Sequence, residues 1–256
     1  MATTQVNRFV KSIRLVRLLL HVASGLLQSL LLPHVSTTRK HHMICKWAQK
    51  FLHILNIQLT VNMMPSICQQ QGVLFVANHT SWLDIIVMLA SHPVRFVAKK
   101  EIKAWPFLGR LCSNAGTLFI QRGKRGDTLR INQQIEDILQ AGGSVALFPE
   151  GATCNGEVLR HFHAALLQSA VSAESWLCPV AIRYKNHDGS RNTSVLYVTE
   201  TLLQSLMQIL NEPEIQAELN FITPIAGIDK NRRELARLAE QAIAQALSLE
   251  IRSTSL

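Results

Sequence analysis

Short apolar runs alternate with helical patterns from Gly72 onward, and this alternation constrains the fold more than any other feature of the sequence. The runs that we interpret as strands are GVLFVAN, VRFVAK, TLFIQ, SVALF, LCPVAIRY, SVLYVT and, more weakly, ELNFIT. Helices are predicted between them at residues 127–141, 162–173 and 232–249. Such alternation is typical of a sheet covered by helices. We therefore predict an α/β fold with a mixed, largely parallel central sheet flanked by helices.

Positive charge is concentrated in the first third of the chain. Residues 1–83 contain no Asp or Glu, and they hold eight of the nine excess positive charges. These cations are Arg8, Lys11, Arg14, Arg17, Arg39, Lys40, Lys46 and Lys50. They are interleaved with Leu, Ile and Val, which a nucleic-acid-binding arm does not need. An anionic membrane surface attracts this mixture, so we predict a membrane partner and no nucleic acid.

An amphipathic helix is predicted over residues 9–32. Its polar side chains recur at intervals of three or four, which places them along one stripe of a helix that Pro33 ends. The stripe consists of Lys11, Arg14, Arg17, His21, Ser24 and Gln28. The apolar stretch 18–32 is short for a clean span of the bilayer. We predict that the helix lies in the interface or dips into it; the alternative is a helix packed on its own domain.

A second basic helical pattern covers residues 44–59. Trp47, Phe51 and Leu55 contribute to its apolar face. Two such helices in tandem favour a membrane-associating segment at residues 1–62, followed by a main domain at residues 63–256. We expect the protein at the cytoplasmic face of the inner cell membrane.

The five cysteines do not suggest a disulfide framework. Their number is odd and no two form a CxxC pair, which fits a reducing compartment. His41, His42 and Cys45 have helical spacing that could hold a metal ion, but they lack an obvious fourth ligand and lie among cations. We therefore predict no metal site.

The segment NHTSWLD, residues 78–84, is the sharpest candidate for chemistry. It follows a predicted buried strand, and ligands of open α/β sheets bind at the carboxyl ends of strands. With His79 in the turn and Asp84 in the first helical turn, the carboxylate can hydrogen-bond one imidazole nitrogen. The other nitrogen is then free to act as a base on a substrate hydroxyl. The structural alternative is a capping box, Ser81-x-x-Asp84, before the apolar run.

Two further loops carry candidate substrate ligands. GTLFIQR ends at Arg122 and leads into a glycine-rich basic loop before a helix, an arrangement that suits a phosphate; a solvated basic loop is the alternative. FPEG places Glu150 and Gly151 directly after a strand, where the glycine permits a tight turn or close approach to a ligand. Because a carboxylate repels an anion, Glu150 is expected to orient Arg122 or accept from a substrate hydroxyl, or else to be a surface acid.

Together these motifs resemble those of the lysophosphatidic acid acyltransferases (1-acylglycerol-3-phosphate acyltransferases of the PlsC type) in the glycerolipid acyltransferase superfamily. NHTSWLD is similar to the family's NHxxxxD block, and GTLFIQR, FPEG and CPVAIRY are similar to its second, third and fourth blocks. All four stand in the family's order between about residues 72 and 184. One departure is Ala152, which stands where the family usually has Ser or Thr; Thr153 follows it.

The resemblance implies that His79 is the general base and Asp84 its orienting partner. The implied substrate-binding residues are Arg122, Glu150, Gly151, Lys99, Thr153 and Pro179, with Arg122 on the phosphate. The implied reaction moves a fatty acyl group from an acyl carrier protein or coenzyme A thioester to a lysolipid hydroxyl in phospholipid biosynthesis. The first acceptor to consider is 1-acylglycerol-3-phosphate, which gives phosphatidic acid. No metal or bound cofactor is implied.

Three alternatives stay open. In the first, the acceptor is another lysolipid, such as lyso-ornithine lipid. In the second, the reaction passes through an acyl-enzyme on Ser81 or Cys154. In the third, the protein is a non-catalytic membrane lipid-binding protein; the His79 and Asp84 pair argues against this one, because a lipid-binding protein needs no base.

Overall fold

The computed structural model describes residues 6–62, 64–70 and 72–251. Its α-helices are α1 (Arg8–Ser29), α2 (Thr37–Ile54), α3 (Ile67–Gln70), α4 (Leu83–Ser91), α5 (Leu108–Ala115), α6 (Arg125–Gln140), α7 (Gln168–Ser172), α8 (Leu202–Ile209) and α9 (Arg232–Leu247). Short 3₁₀ helices cover Leu32–His34, Lys100–Ala104 and Ala164–Leu167. The strands are β1 (Ile57–Asn62), β2 (Val73–Ala77), β3 (Arg95–Lys99), β4 (Leu118–Ile120), β5 (Val145–Leu147), β6 (Val158–Leu159), β7 (Trp176–Lys185), β8 (Ile215–Phe221), β9 (Ile225–Ala226) and β10 (Glu250–Ile251).

The main sheet has the strand order β1-β8-β7-β2-β5-β3-β4. Neighbours in this order are parallel except for β7 and β8, and β9 also pairs with β7 in the antiparallel sense. Strands β6 and β10 form a second, small parallel sheet. The predicted mixed, largely parallel sheet flanked by helices is thus confirmed. Strands β2, β3, β4, β5 and β7 all end at the same edge, which we call the upper edge.

Strand β2 lies in the middle of the sheet and is buried on both faces. Val73, Phe75 and Ala77 belong to the core beneath α2 and α4. Leu74 and Val76 belong to the core beneath α6 and α9 on the opposite face. A strand covered by helices on both faces is a continuous apolar run in sequence, and this is why GVLFVAN predicts it from composition.

Two predicted elements are wrong. Residues 194–199 (SVLYVT) form a turn and an irregular segment rather than a strand. In it Val195 is buried in the core, while the Tyr197 N–H donates to the loop that follows β2. Residues 57–62 are not the end of a helix but β1, which pairs with β8. The chain leaves α2 at Asn56, whose φ of 56° is a left-handed conformation that asparagine tolerates.

The division of the chain after residue 62 stays a prediction, and residue 63 lies outside the described residues. Strand β1 is part of the main sheet. Helix α2 contributes Ala48, Phe51 and Leu52 to the core shared with α4. Helix α2 and β1 therefore belong to the packed domain, and α1 joins it through Leu18 while it keeps an open face on the other side.

Helix α1 turns its polar stripe towards the rest of the protein. The Lys11 Nζ donates to Asn211 Oδ1 over 2.7 Å, and the Arg14 guanidinium donates to the Glu212 carbonyl over 2.7 Å. Most of the large side chains that α1 and the turn after it expose are apolar, namely Phe9, Val10, Ile13, Val16, Leu19, Leu20, Leu27, Leu30 and Leu31, although Arg8, Arg17 and Gln28 are exposed as well. The stretch Arg8–His34 is long and apolar enough to cross a membrane, by length and composition. In a helix whose outer face meets water, the apolar face packs on the protein and the polar face is exposed, so the arrangement in α1 is the reverse.

Candidate active site

The loop between β2 and α4 leaves the upper edge of the sheet in a fixed conformation. Asn78, the first residue after β2, donates through Nδ2 to the Ile182 carbonyl over 3.0 Å. Its Oδ1 accepts the Ile182 N–H over 2.8 Å. This buried amide therefore continues the pairing of β2 with β7 and defines where His79 emerges.

His79 and Asp84 meet in this loop. His79 Nδ1 lies 2.8 Å from Asp84 Oδ2, with the imidazole side chain 17% exposed and the carboxylate fully buried. The pair forms because His79 precedes α4 and Asp84 stands in its first turn, as the sequence predicts. Since Nδ1 faces the carboxylate, Nε2 is the ring nitrogen left for a substrate.

Asp84 has further partners at both oxygens. Its Oδ2 also accepts the backbone N–H groups of Thr80 (2.8 Å) and Ser81 (2.9 Å), so the carboxylate closes the turn as a capping residue does. Its Oδ1 accepts the Tyr184 hydroxyl over 2.8 Å. Asp84 thus closes the turn and also contacts the imidazole, and its role in chemistry stays a prediction. Burial, followed by the charge of Asp84, raises the pKa of Tyr184 well above its ordinary value, which keeps the phenol a donor.

Two aromatic rings hold the imidazole plane. Phe148 stacks on His79 with ring centroids 4.0 Å apart and an angle of 10° between the planes. Phe96 continues the stack on the far side of Phe148, at 5.8 Å and 14°. Sequence reasoning missed both rings and Tyr184, because these residues lie on other strands or loops and only the sheet order brings them to His79.

Glu150 is buried beneath the site rather than in contact with Arg122. Its Oε1 accepts the His79 N–H over 2.6 Å, and its Oε2 accepts the Arg160 N–H over 3.1 Å. Burial raises the pKa of Glu150, and these hydrogen bonds, with that from Cys154, oppose the shift. Glu150 thus joins the His79 backbone to the loop after β5, and its expected role towards Arg122 or a substrate hydroxyl stays a prediction.

The other residues of the third and fourth motifs shape the backbone around the site. Gly151 has a φ of 80°, which favours glycine, and an added Cβ would meet His163 Cδ2 at 3.4 Å. Thr153 is half-buried in the same loop. Pro179 is buried within β7 opposite Val76, so it lies inside the sheet below the site.

Lys99 and Arg122 bring positive charge to the upper edge. Lys99 ends β3 and Arg122 follows β4, and both are exposed. These strands are two and three positions from β2 in the sheet, which separates them from the His79 loop by about 10 and about 14 Å. Desolvation lowers the pKa of Arg122, while the charge of Glu101 opposes this shift.

The two candidate nucleophiles of an acyl-enzyme are poorly placed for that chemistry. Ser81 is fully buried, and its Oγ accepts the Leu83 N–H over 3.2 Å. Cys154 is buried beside Glu150, and burial, then the Glu150 charge, raises the pKa of the thiol to about 12. A thiol with this pKa holds its proton at neutral pH, so direct attack by the substrate hydroxyl fits the geometry better.

Within the described residues no group of three or more His, Cys, Asp or Glu side chains is arranged to hold a metal ion. His41, His42 and Cys45 do not form such a group.

Comparison with known proteins gives sequence relatives over most of the chain. The family model described as Acyltransferase matches residues 58–183. A lyso-ornithine lipid O-acyltransferase of Pseudomonas aeruginosa is 41% identical over 179 residues, which cover 70% of this chain and 69% of that protein. A 1-acyl-sn-glycerol-3-phosphate acyltransferase of Neisseria gonorrhoeae is 41% identical over 171 residues, which cover 67% of each chain.

A solved structure shares the fold. The crystal structure of the 1-acyl-sn-glycerophosphate (LPA) acyltransferase PlsC from Thermotoga maritima superposes with a TM-score of 0.67. The match covers 93% of this chain and 96% of that chain at 19% identity. At this identity the likeness concerns the fold, including its arrangement of sheet and helices.

Proposed function

This chain belongs to the acyltransferase family and is an O-acyltransferase, and from that premise we propose that it transfers a fatty acyl group from a thioester to the free hydroxyl of a lysolipid. The observation that carries the proposal is the 2.8 Å contact between His79 Nδ1 and Asp84 Oδ2. It orients the imidazole and leaves Nε2 as the base, which is the arrangement that hydroxyl activation requires.

In the proposed reaction, His79 Nε2 takes the proton of the acceptor hydroxyl as that oxygen attacks the thioester carbonyl carbon. The tetrahedral intermediate collapses, the carbon–sulfur bond breaks and the imidazolium returns its proton to the departing thiolate. Asp84 stabilises the imidazolium, and Phe148 keeps its ring plane constant through both transfers. The donor is an acyl carrier protein or coenzyme A thioester, and the acyl group passes directly from the thiol sulfur to the acceptor oxygen while His79 carries the proton between them.

The first acceptor that we propose is 1-acylglycerol-3-phosphate, which would yield phosphatidic acid. Its support is the positive charge of Lys99 and Arg122 at the edge that holds His79, because guanidinium and ammonium groups suit a phosphate. The second candidate is lyso-ornithine lipid. It is favoured by the relative of that name at 41% identity and by Ala152, which offers no hydroxyl where the resembling family usually has one.

We also propose that the protein works at the cytoplasmic face of the membrane. The exposed apolar side chains of α1 would contact lipid, and the cations of the first third of the chain would favour an anionic surface. This placement gives a lysolipid whose acyl chain stays in the bilayer a short route to the upper edge.

The test of the chemistry is His79→Ala in the full chain, assayed by thiol release with acyl carrier protein and coenzyme A donors. A general base contributes about 10²- to 10⁴-fold, so we expect a loss of that size with both acceptors. The control is His42→Ala, which removes an exposed imidazole from α2. Full activity of His79→Ala with an unchanged product would rule out the proposed base.

The test of the acceptor is Arg122→Gln. Loss of a hydrogen bond between charged groups costs about 1.5–3 kcal/mol, so kcat/KM for the phosphate-bearing acceptor should fall about 10- to 100-fold. If lyso-ornithine lipid is the substrate, wild-type protein will turn it over faster than 1-acylglycerol-3-phosphate. In that case Arg122→Gln will leave the preferred reaction within about twofold of wild type.

A further inference from the structure

The segment between the 3₁₀ helix Lys100–Ala104 and α5 presents two aromatic side chains to solvent. We call residues 105–107 the Trp105 loop. Trp105 is 43% exposed and Phe107 is 74% exposed, with Pro106 exposed between them. Large apolar side chains grouped in this way on an exposed loop are typical of a contact surface rather than of scattered surface residues.

The backbone holds this loop in a strained conformation. The Leu108 N–H donates to the Pro106 carbonyl over 2.6 Å, and Phe107 between them has φ 62° and ψ −53°. These are the features of the rare positive-φ form of the γ-turn, which a bulky side chain adopts only where the surroundings hold it. The conformation directs Phe107 away from the domain and defines the shape of the tip.

The chain on both sides of the tip keeps it rigid. The Trp105 N–H donates to the Ile102 carbonyl, and the Gly109 N–H donates to the Trp105 carbonyl, each over 3.0 Å. A Cβ at Gly109 would lie 2.1 Å from the Lys103 carbonyl oxygen, so only glycine allows so close a return of the chain. Two aromatic rings on a rigid tip lose little conformational freedom when they are buried by a partner.

Positive charge surrounds the aromatic tip. Exposed cations at positions 99–110 are Lys99, Lys100, Lys103 and Arg110, and Glu101 is the single acid in that range. Aromatic side chains with flanking Lys and Arg are the combination found at the interface between lipid chains and anionic headgroups. An acidic protein partner could bind the cations alone, and its binding would not require the exposed aromatic rings.

The position of the loop agrees with a lipid partner. It follows β3 at the upper edge, where His79 also lies. The first turns of α1 contact Asn211 and Glu212, which precede β8. Because β8 is antiparallel to β7, it begins at this same upper edge. The N-terminal end of α1 and the Trp105 loop therefore reach the upper edge on opposite sides of β2, while the C-terminal end of α1 packs on α5, the helix that follows the loop.

We propose that the Trp105 loop is a second membrane-contact element, in which Trp105 and Phe107 enter the lipid surface while the surrounding cations bind anionic headgroups. The inference rests on the proposed action on membrane lysolipids and adds to it a second site of attachment. With contacts on both sides of β2, the upper edge faces the bilayer, and the acceptor hydroxyl reaches His79 while its acyl chain remains among lipids.

The experiment uses tryptophan fluorescence of the full chain with vesicles of phosphatidylcholine and phosphatidylglycerol that carry brominated acyl chains. Trp105 is the exposed tryptophan of the four, so the wild-type spectrum minus that of Trp105→Phe reports on the loop. We expect brominated vesicles to quench at least about half of this difference spectrum. A difference spectrum that brominated vesicles leave unchanged overturns the proposal. A spectrum that responds to acyl carrier protein but not to vesicles assigns the loop to protein docking and also overturns it.

A second variant tests the ring without disturbing the turn. Asparagine tolerates a positive φ, so Phe107→Asn removes the apolar ring and keeps the backbone. Vesicle affinity in a flotation assay should fall about tenfold, while Leu129→Asn, the same kind of change at an exposed position on α6, should leave it unchanged. Equal affinity of the Phe107→Asn variant and wild type contradicts the proposal. Both readouts are independent of acyl transfer, so they separate failure of this inference from failure of the proposed reaction.

Discussion

Two histidines stand at opposite ends of α4 and have opposite environments. His79 precedes the helix at the upper edge, where a buried carboxylate lies 2.8 Å from its Nδ1. His92 follows the helix at the other end, edge-on to the Phe75 ring at 5.2 Å. Burial, and then the nearby His41, lowers the pKa of His92 to about 4. One imidazole thus faces a buried carboxylate, whereas burial beside another basic group lowers the pKa of its counterpart.

Asp84 is the residue whose change should alter the His79 environment most. Asp84→Asn keeps an oxygen for the Thr80 and Ser81 N–H groups but removes the charge that orients and stabilises the His79 imidazolium. Loss of such a carboxylate costs up to about 10⁴-fold in rate in enzymes with this arrangement. We expect kcat to fall about 10³- to 10⁴-fold in a thiol-release assay, and Asp137→Asn on the exposed side of α6 to match wild type. A loss smaller than tenfold would show that the carboxylate serves only the turn.

His92 should make the protein less stable in acid. In the unfolded chain a histidine takes up its proton near pH 6.5, whereas in the folded protein His92 does so at about 4. Between these values the unfolded state binds more protons, so the free energy of unfolding falls as pH is lowered from about 6.5 towards 4. The shift corresponds to at most about 3 kcal/mol.

The measurement is urea unfolding at several pH values for wild type and His92→Phe. The variant should lose less stability than wild type over this interval, because its ring cannot be protonated in either state. His42→Phe, at an exposed position on α2, serves as the control and should keep the wild-type slope. Equal slopes for wild type and His92→Phe would mean that other groups set the acid sensitivity.

Tyr184→Phe should alter the His79 environment with a smaller effect. It leaves the buried Asp84 Oδ1 without the phenol that now donates over 2.8 Å, a loss of about 1.5–3 kcal/mol for a charged acceptor. We expect kcat to fall about tenfold with KM unchanged. Tyr197→Phe is the matched control, because Tyr197 is the second of two tyrosines and reaches the loop through its backbone N–H.

A double variant separates positioning from general stability. If Tyr184 acts through Asp84, then Tyr184→Phe in the Asp84→Asn background should cause little further loss, because coupled residues are not additive. A full additional tenfold loss in that background would show that Tyr184 affects activity by a separate route. The same samples give melting temperatures, which identify variants that merely unfold.

The local parts of the site were predictable because their partners are close in sequence. The five-residue separation of His79 and Asp84 suffices once a strand ends before the first residue and a helix begins before the second. The buried strand β2 was predictable from its continuous apolar run. In contrast, SVLYVT has strand composition but packs as a loop, since burial of Val195 does not require a hydrogen-bonded ladder.

Which neighbours a side chain faces was harder to predict than which residues a segment contains. The polar stripe of α1 is visible as a repeat of three and four, but the repeat does not say whether water or protein lies against it. The contacts of Lys11 and Arg14 with the segment before β8 show that it is protein. Glu150 is a similar case, because its task depends on which backbone N–H groups surround it.

The sequence by itself determined the α/β class, the strand before the His79 loop, the His79 and Asp84 pair and the apolar, basic character of the first third of the chain. These features arise from side chains a few residues apart, whose geometry follows from the local backbone. Tertiary structure alone decided the strand order, the second partner of Asp84 at Tyr184, the Phe148 stack and the direction of the apolar face of α1. Each of these depends on contacts between segments distant in the chain, and local propensity contains no information about which of those segments become neighbours.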